Sequence, residues 1–188
     1  IRGSFVNNVL NVVKAKEYTS SILGRSVHAT VLKLDSRRLE LPPSSVDLVV
    51  TDPPHFGNVI NSGLADLHYA LLKAVVGHRY AELSGERSCD DESEIVWDPV
   101  RGKGFEEFVR GLIQVFSKVR RALKPEGVMV VLFRHWREEA WDALRESLKE
   151  AGFSVTREWP LDLEGYPQPQ AKAVKAKVRS AALVCEGT

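Results

Sequence analysis

The chain has 188 residues, a length that suits one domain with a buried core of its own. Hydrophobic residues make up 44% and charged residues 27%, a balance typical of globular proteins, and the net charge of +1 does not by itself indicate a nucleic-acid binder. The sequence carries no run that resembles a membrane span or a signal peptide and has two widely separated cysteines, Cys89 and Cys185. These features argue against a membrane protein, a disulfide framework and a zinc ribbon, and they predict a cytoplasmic protein.

The first part of the chain predicts a helix and then a buried strand. Apolar residues recur on one helical face over residues 4–23, within an N-terminal helical segment at 1–25. The run from Val27 to Leu34 is β-branched and apolar and stops at Asp35, which is typical of a buried strand.

A second short strand, Val46 to Thr51, runs directly into a segment with two consecutive prolines. A helix is predicted next, over about residues 62–78. The stretch 79–104 is rich in Asp and Glu and has no clear periodicity, which indicates a long loop or a lid insertion. A solvated acidic loop without a specific role is the alternative.

Helices and strands alternate through the rest of the chain. We predict helices at 105–123 and 137–151, strands at 128–133, 153–159 and 180–185, a break at 124–127 and a connection at 160–177. The pattern predicts a single domain over residues 1–188 built on an open, doubly wound α/β sheet. The last two strands are joined without a clear helix, which allows an antiparallel final strand.

The segment Asp52-Pro53-Pro54-His55 lies at the carboxyl end of a strand, where such sheets bind ligands. Two consecutive prolines fix φ and remove two N–H donors, so the loop is stiff and offers carbonyl oxygens. A carboxylate beside a rigid carbonyl matches the N–H donors of a planar amine. Acceptors of this kind can turn the lone pair of the amine toward an incoming methyl group, and such positioning is worth about 7–11 kcal/mol. A strand-ending turn is the alternative reading of this segment.

The run VDLVVTDPPHFGNV resembles the catalytic strand and loop of class I S-adenosylmethionine-dependent amino-methyltransferases, whose signature is Asp, Asn or Ser, then Pro-Pro, then an aromatic residue. The segments HATVLKLDSRRLELPPSSVD, RRALKPEGVMVVLF and EAWDALRESLKEAGFSVTREWPL continue the resemblance over about residues 26–186. The chain most resembles large prokaryotic proteins described as adenine-specific DNA methylases. This resemblance implies a Rossmann-like sheet, S-adenosylmethionine as cofactor, and methyl transfer to an exocyclic amine, foremost N6 of adenine in DNA.

The resemblance also implies roles for the residues of the loop. Asp52 and the carbonyl of Pro53 would orient the amine, Pro54 completes the stiff motif, and His55 would face the base. Position 55 is His where the family has an aromatic ring, so Phe56 is a second candidate for stacking on the base.

The resemblance implies that Asp35 and its neighbour Ser36 bind the cofactor. The alternative is that the carboxylate of Asp35 stabilises a local turn. The glycine-rich cofactor loop of the family does not occur in the sequence. We therefore expect the chain to correspond to the downstream part of a methyltransferase domain. An upstream segment or a second chain would supply the first strands and the glycine-rich loop.

Basic and aromatic residues beyond the loop are further candidates for substrate binding. Arg134 and His135 follow the strand at 128–133, where packing or solvation is the alternative. Lys172 and Lys175 belong to the run KAVKAKVR, which contains four basic residues and no acidic one. We expect this run to contact DNA phosphates, and the alternative is that it forms a solvated face. The histidines lack the spacing of metal ligands, so no metal site is predicted.

Two other functions remain open at this point. The same acceptor geometry suits methylation of an amine or amide in RNA or protein. A non-catalytic methyltransferase remnant that binds nucleic acid or completes a partner subunit is the alternative from a different class.

Overall fold

The computed structural model of the chain describes residues 13–14, 16–21, 30–32, 34–57, 60–80, 92–161 and 177–188. The chain divides into two compact units, residues 1–34 and 35–188. In the first unit, residues 13–14 and 16–21 are helical, as predicted, and the rest of the predicted helix lies outside the described residues. Residues 30–32 and 34 are not in a strand, so the strand predicted over 27–34 is wrong at those positions, and its other residues lie outside the described part.

The described part of the second unit contains a four-stranded sheet and three α-helices. In chain order the elements are the 3₁₀ turn η1 (Ser36–Arg38), β1 (Val46–Thr51), α1 (Asn61–Val76), the 3₁₀ turn η2 (Pro99–Arg101), α2 (Phe105–Ala122), β2 (Leu123–His135), α3 (Glu138–Glu150), β3 (Phe153–Pro160) and β4 (Arg179–Gly187). Each helix and strand that the sequence predicts after residue 45 is present, with bounds that differ by a few residues.

The strand β2 begins earlier than the sequence predicts. We expected a break at 124–127, whereas β2 is continuous from Leu123. The register of its pairing with β1 shifts between Val46, which pairs with Leu123, and Leu48, which pairs with Val128. β2 therefore has extra residues at this point. The extra residues of β2 at this irregularity include Pro125, whose missing N–H is tolerated where the ladder is interrupted.

The sheet has the order β1-β2-β4-β3. β1 and β2 are parallel, and β4 is antiparallel to both of its neighbours, β2 and β3. The antiparallel final strand that the sequence allowed is therefore present. Because β1 and β2 run in the same direction, the residues that follow both strands meet at one edge of the sheet.

The hydrophobic core lies between one face of the sheet and the helices α2 and α3. Its largest fully buried side chains are Trp141, Phe108, Phe116, Leu112, Met129, Leu144, Leu148 and Leu183. The opposite face carries apolar side chains that are 36–61% exposed, namely Leu48, Val50, Leu132 and Trp159. The apolar stripe of α1 is also exposed, at Leu64, Leu67, Leu71 and Val75. Thus α1 has the predicted helical periodicity without the burial that usually accompanies it.

Across the described ranges, no helix has both the length and the apolar character needed to cross a lipid bilayer. Nor do the described residues bring together three His, Cys, Asp or Glu side chains that could hold a metal ion.

Candidate active site

The segment Asp52-Pro53-Pro54-His55 follows β1 directly, at the edge of the sheet where β2 also ends. Pro53 is buried and Pro54 is half-buried, whereas the side chain of Asp52 is 62% exposed. The two prolines therefore anchor a stiff turn, and the carboxylate of Asp52 stays accessible to a ligand.

His55 joins Asp52 to the end of β2. Its Nε2 atom lies 2.8 Å from Oδ1 of Asp52, and its Nδ1 atom lies 3.1 Å from the carbonyl oxygen of Arg134. The imidazole stacks on Phe133, with a centroid separation of 5.7 Å and an interplanar angle of 26°. Since one face of the ring is covered by Phe133, a base that stacks on His55 must use the other face.

Phe56 is buried, with 4% of its surface exposed. Its ring stacks on Trp97 at 5.3 Å and meets the rings of Phe108 and His135 edge-on. The backbone turns sharply here, because φ is +36° at Phe56 and +76° at Gly57. Phe56 thus anchors the loop in the core, and contact with a substrate would require the loop to rearrange.

Residues 92–104, which the sequence assigned to a loop or lid, pack against this loop and against the start of α1. The carboxylate of Glu94 accepts hydrogen bonds from the backbone N–H groups of Asn61 and Ser62 at 2.6 and 3.2 Å, and from the Ser62 hydroxyl at 2.6 Å. These bonds satisfy N–H groups of the first turn of α1, which have no partner within the helix itself. Arg101 in turn lies 3.0 Å from Asp98 and 3.5 Å from Glu94. Residues 81–91 of the predicted lid lie outside the described residues.

His135 lies in the core beside the loop, with 1% of its surface exposed. Burial lowers the pKa of His135 to about 4, so the ring is neutral at pH 7. Its Nδ1 accepts a hydrogen bond of 2.9 Å from the backbone N–H of Arg137. Nε2 therefore carries the proton, and this buried N–H finds no hydrogen-bond acceptor among the described residues. The predicted substrate contact at His135 is therefore a buried neighbour of the site, whereas Arg134 supplies the carbonyl that binds His55.

Two residues that sequence reasoning did not select also line this corner of the sheet. The guanidinium of Arg137 lies over Trp136 at 4.7 Å and over Trp97 at 5.0 Å from the ring centroids. Both separations suit cation–π contacts. Arg137 therefore links the end of β2 to Trp97, which in turn packs on Phe56. The cluster of aromatic and basic residues after β2 is a sequence pattern that could have pointed to Arg137. No local sequence pattern points to Trp97.

Asp35 caps η1, and its carboxylate is bound to Arg37. It accepts the backbone N–H of Arg37 at 2.9 Å and guanidinium N–H groups at 2.7 to 3.1 Å. These hydrogen bonds from Arg37 hold the pKa of Asp35 below its usual value. Ser36 is exposed. The cofactor role of both residues stays a prediction, and it requires Asp35 to exchange Arg37 for the cofactor. The predicted phosphate contacts Lys172 and Lys175 lie outside the described residues.

The sheet and its helices have the Rossmann-like fold of class I methyltransferases. PvuII DNA methyltransferase, which is cytosine-N4-specific, is similar with a TM-score of 0.50 and 16% identity, over 82% of this chain and 47% of that chain. A SAM-dependent methyltransferase from Leishmania major has a TM-score of 0.44 and 13% identity, over 91% of this chain and 50% of its own. A Thermus thermophilus protein described as a candidate DNA modification methylase has a TM-score of 0.42 and 16% identity, over 82% of this chain and 52% of its own.

The chain therefore spans about half the length of the solved structures it matches. No protein-family model matches the sequence, and no curated protein does.

Proposed function

We propose that this chain takes part in S-adenosylmethionine-dependent methyl transfer to an exocyclic amine, with N6 of adenine in DNA as the acceptor. The observation that carries the proposal is the exposed carboxylate of Asp52, held by two anchored prolines at the carboxyl edge of a methyltransferase sheet. The similarity to a cytosine-N4-specific enzyme is compatible with this acceptor, because N4 of cytosine and N6 of adenine are both planar amino groups.

Each residue of the loop has its own part in binding the amine. Asp52 accepts one N–H of the amine and the carbonyl of Pro53 accepts the other, while Pro54 keeps the two acceptors at a fixed separation. Bound S-adenosylmethionine supplies an electrophilic methyl group on a sulfonium. The two acceptors stabilise the positive charge that develops on the nitrogen during transfer, so their contribution is larger in the transition state than in the ground state.

We further propose that the glycine-rich cofactor loop comes from an upstream segment or a second chain. Two observations support this part of the proposal. Within the described sheet β1 pairs with β2 alone, so its outer edge offers N–H and C=O groups to another strand. The side chains of Leu48 and Val50 on the same strand are 57% and 61% exposed, although β1 holds the catalytic loop at its end.

DNA binding is the remaining part of the proposal. Lys172 and Lys175 would contact phosphates, which position the duplex without reading its sequence. Arg134 lies at the end of β2, where its backbone carbonyl binds His55 beside the loop, and we propose that its side chain contacts the substrate. RNA or a protein amide is the alternative acceptor, since the two acceptors recognise a planar amine and not the polymer that carries it.

A second candidate function is a non-catalytic methyltransferase-like module that completes a partner subunit. The exposed apolar residues of β1 favour it, because a surface of this kind suits a permanent interface. The two candidates differ in what Asp52 does, since only catalysis requires its carboxylate.

Substitution of Asp52 tests the proposal. The variants would be made in a full-length form that includes the segment or chain supplying the glycine-rich loop. Single-turnover transfer of a labelled methyl group to duplexes that contain adenine or cytosine would then be measured at high cofactor concentration. The variants are Asp52→Ala and Asp52→Asn, with Asp47→Ala as a control, because Asp47 is also an exposed carboxylate and lies near the other end of β1.

We expect Asp52→Ala to lose transfer by about 10²-fold or more, as when a single group that stabilises transition-state charge is removed. Asp52→Asn should lose less, because an amide oxygen can also accept the N–H of the amine. Asp47→Ala should match the parent. Equal rates for Asp52→Ala and the parent, or no transfer by any of the proteins, would overturn the catalytic proposal. A product methylated at N4 of cytosine would replace adenine as the acceptor.

A further inference from the structure

We infer that Arg137 binds a backbone phosphate of the nucleic acid that carries the target amine, and that Trp97 and Trp136 hold its guanidinium in position for this contact. The inference rests on the proposed function and deepens it, because it names a residue outside the Asp-Pro-Pro loop that binds the substrate polymer. It starts from a positive charge beside that loop that has no acidic partner among the described residues.

The side chain of Arg137 contacts two tryptophan rings at once. Its Cζ atom lies 5.0 Å from the ring centroid of Trp97 and 4.7 Å from that of Trp136. The backbone is fixed as well, because the N–H of Arg137 donates a hydrogen bond of 2.9 Å to Nδ1 of the buried His135. A side chain that is already ordered loses less conformational entropy when it binds a ligand. Arg137 is therefore preorganised for binding.

The N–H donors of the Arg137 guanidinium have no oxygen acceptor within the part of the chain that the structure describes. The two cation–π contacts engage the charge of the group but supply no oxygen. A guanidinium carries five N–H donors in a planar fork, which matches the oxygens of a phosphate. These donors therefore suit an anionic ligand that is rich in oxygen.

Two other arginines of the described ranges lie over a tryptophan ring, and both have an acidic partner. Arg145 and Arg179 lie 5.9 and 4.2 Å from the ring centroid of Trp141. The carboxylate of Glu138 lies 3.1 Å from Arg145 and 3.5 Å from Arg179. The charges of these two arginines are balanced within the chain. The charge of Arg137 is not, and it remains for a ligand.

The surroundings of Arg137 also have more hydrogen-bond donors than acceptors. The indole N–H of Trp136 and the Nε2 atom of His135 are buried and have no partner among the described residues. Glu138 is bound by two other arginines, and neither it nor the exposed Glu139 forms an ion pair with Arg137 in this part of the chain. Phosphate oxygens only accept hydrogen bonds. A phosphate and the water molecules that it orders would supply acceptors that the chain lacks here.

Arg137 lies at the same corner of the sheet as the Asp-Pro-Pro loop. Trp97, over which the guanidinium lies, stacks on Phe56 at 5.3 Å with an interplanar angle of 12°, and Phe56 comes directly after the loop. On the same end of β2, Arg134 supplies the carbonyl that binds the loop. A nucleotide whose base meets Asp52 would therefore bring its phosphates, or those of its neighbours, toward Arg137.

The salt dependence of DNA binding tests this contact. Binding of a fluorescent adenine-containing duplex would be measured by anisotropy from about 50 to 200 mM salt. The protein is the full-length form with the glycine-rich loop, and S-adenosylhomocysteine is present so that no methyl group is transferred. The variants are Arg137→Gln and Arg137→Lys. Arg145→Gln is the matched control, because it removes the same charge from an arginine that also lies over a tryptophan but is ion-paired.

We expect Arg137→Gln to weaken binding about 10-fold and to reduce the slope of log K against log salt concentration by about 0.9, the value of one phosphate contact. Arg137→Lys should keep the slope, because the charge remains, and should lose less affinity than Arg137→Gln. Arg145→Gln should match the parent. At saturating duplex, the single-turnover rate of Arg137→Gln should stay within about twofold of the parent, because the contact acts on binding and not on the transition state.

A second experiment locates the phosphate. Each duplex would carry one neutral methylphosphonate in place of a phosphate, at successive positions of the strand with the target adenine. At the phosphate that Arg137 binds, the neutral linkage should weaken the parent about 10-fold and Arg137→Gln much less, as in a double-mutant cycle. At every other position the two proteins should lose the same affinity.

An Arg137→Gln protein with the salt slope of the parent would overturn the phosphate contact, since a folding defect lowers affinity without removing one phosphate contact. Equal losses of the two proteins at every methylphosphonate would overturn it as well. Weaker binding of S-adenosylmethionine with an unchanged salt slope would assign the guanidinium to the carboxylate of the cofactor instead. The proposed function fails separately, because loss of methyl transfer in every protein, with a reduced slope for Arg137→Gln, would leave Arg137 as the phosphate-binding residue of a non-catalytic module.

Discussion

Replacement of Gly57 by Ala tests whether the backbone at the end of the Asp-Pro-Pro loop is as constrained as the structure indicates. Gly57 has φ of +76°, a conformation that side chains disfavour. A Cβ atom at this position would lie 2.5 Å from the carbonyl oxygen of Trp97 and 2.9 Å from Cε3 of its ring. The first of these neighbours is backbone, so relief requires the loop or residues 92–98 to move.

Gly57→Ala is expected to cost stability in two ways, through the left-handed backbone conformation and through the close contacts of the added Cβ atom, and two other glycines serve as controls that separate them. A left-handed conformation costs a residue other than glycine about 1–2 kcal/mol, and overpacking of a fixed site costs about 1–3 kcal/mol more. Gly102→Ala is the matched control for the first term, because φ is +72° there and the added Cβ meets nothing within 4 Å. Gly63→Ala is a control for both terms. This glycine lies in α1 with open space around it, and alanine should gain up to about 1 kcal/mol there.

The free energy of unfolding, measured by urea titration of the four proteins, checks the argument. We expect Gly57→Ala to lose about 2–5 kcal/mol, Gly102→Ala to lose about 1–2 kcal/mol, and Gly63→Ala to be neutral or slightly stabilised. A loss for Gly57→Ala no larger than that for Gly102→Ala would show that Trp97 does not press on this turn. The stacking of Phe56 on Trp97 could then not be what fixes the loop.

Three further predictions concern cofactor binding, His135 and Glu94. Because the sequence lacks a glycine-rich loop, we expect this chain to bind S-adenosylmethionine with less than micromolar affinity in a calorimetric titration, that is, with a binding free energy less favourable than about −8 kcal/mol. A clean one-site isotherm with micromolar affinity would contradict this prediction. Burial lowers the pKa of His135 to about 4 in the folded protein, whereas the pKa of an unfolded histidine is about 6.5. Between these two pH values the unfolded state therefore binds a proton that the folded state does not. The free energy of unfolding should therefore fall by up to about 3 kcal/mol from pH 7 to pH 4, and His135→Phe should show a shallower fall in the same urea series. Glu94→Ala removes the carboxylate at the start of α1 and should cost about 0.5–2 kcal/mol, whereas Glu146→Ala on the exposed side of α3 should be neutral by thermal unfolding.

The regular elements were predictable because their signals are local. The helix predicted at 105–123 is Phe105–Ala122, and the one predicted at 137–151 is Glu138–Glu150, since apolar residues at helical spacing face the core in both. The strand β2 was predicted too short, because Lys-Pro-Glu-Gly reads locally as a turn and only its pairing with β1 makes it part of the sheet.

The candidate site was predictable in position but not in its contacts. The Asp-Pro-Pro motif after a strand placed Asp52 and His55 at the carboxyl edge of the sheet. The bond from His55 to the carbonyl of Arg134 depends on how far β2 extends beyond β1, which no local pattern specifies. Trp97 was missed for the same reason, because it reaches Phe56 only after the intervening helix has been placed.

The position of β4 has a consequence for how the chain folds as it is made. β4 comes last in the sequence but lies between β2 and β3, so both of its neighbours leave the ribosome before it does. Neither antiparallel ladder can be complete until residue 187 has been synthesised, although α2 and α3, which pack together on the core side, can already associate. A chain stalled before residue 179 would present an unpaired edge on β2 and two on β3, and such edges are templates for aggregation. Completion of the sheet therefore waits for β4, and a pause in translation between β3 and β4 would leave β2 and β3 without the strand that joins them.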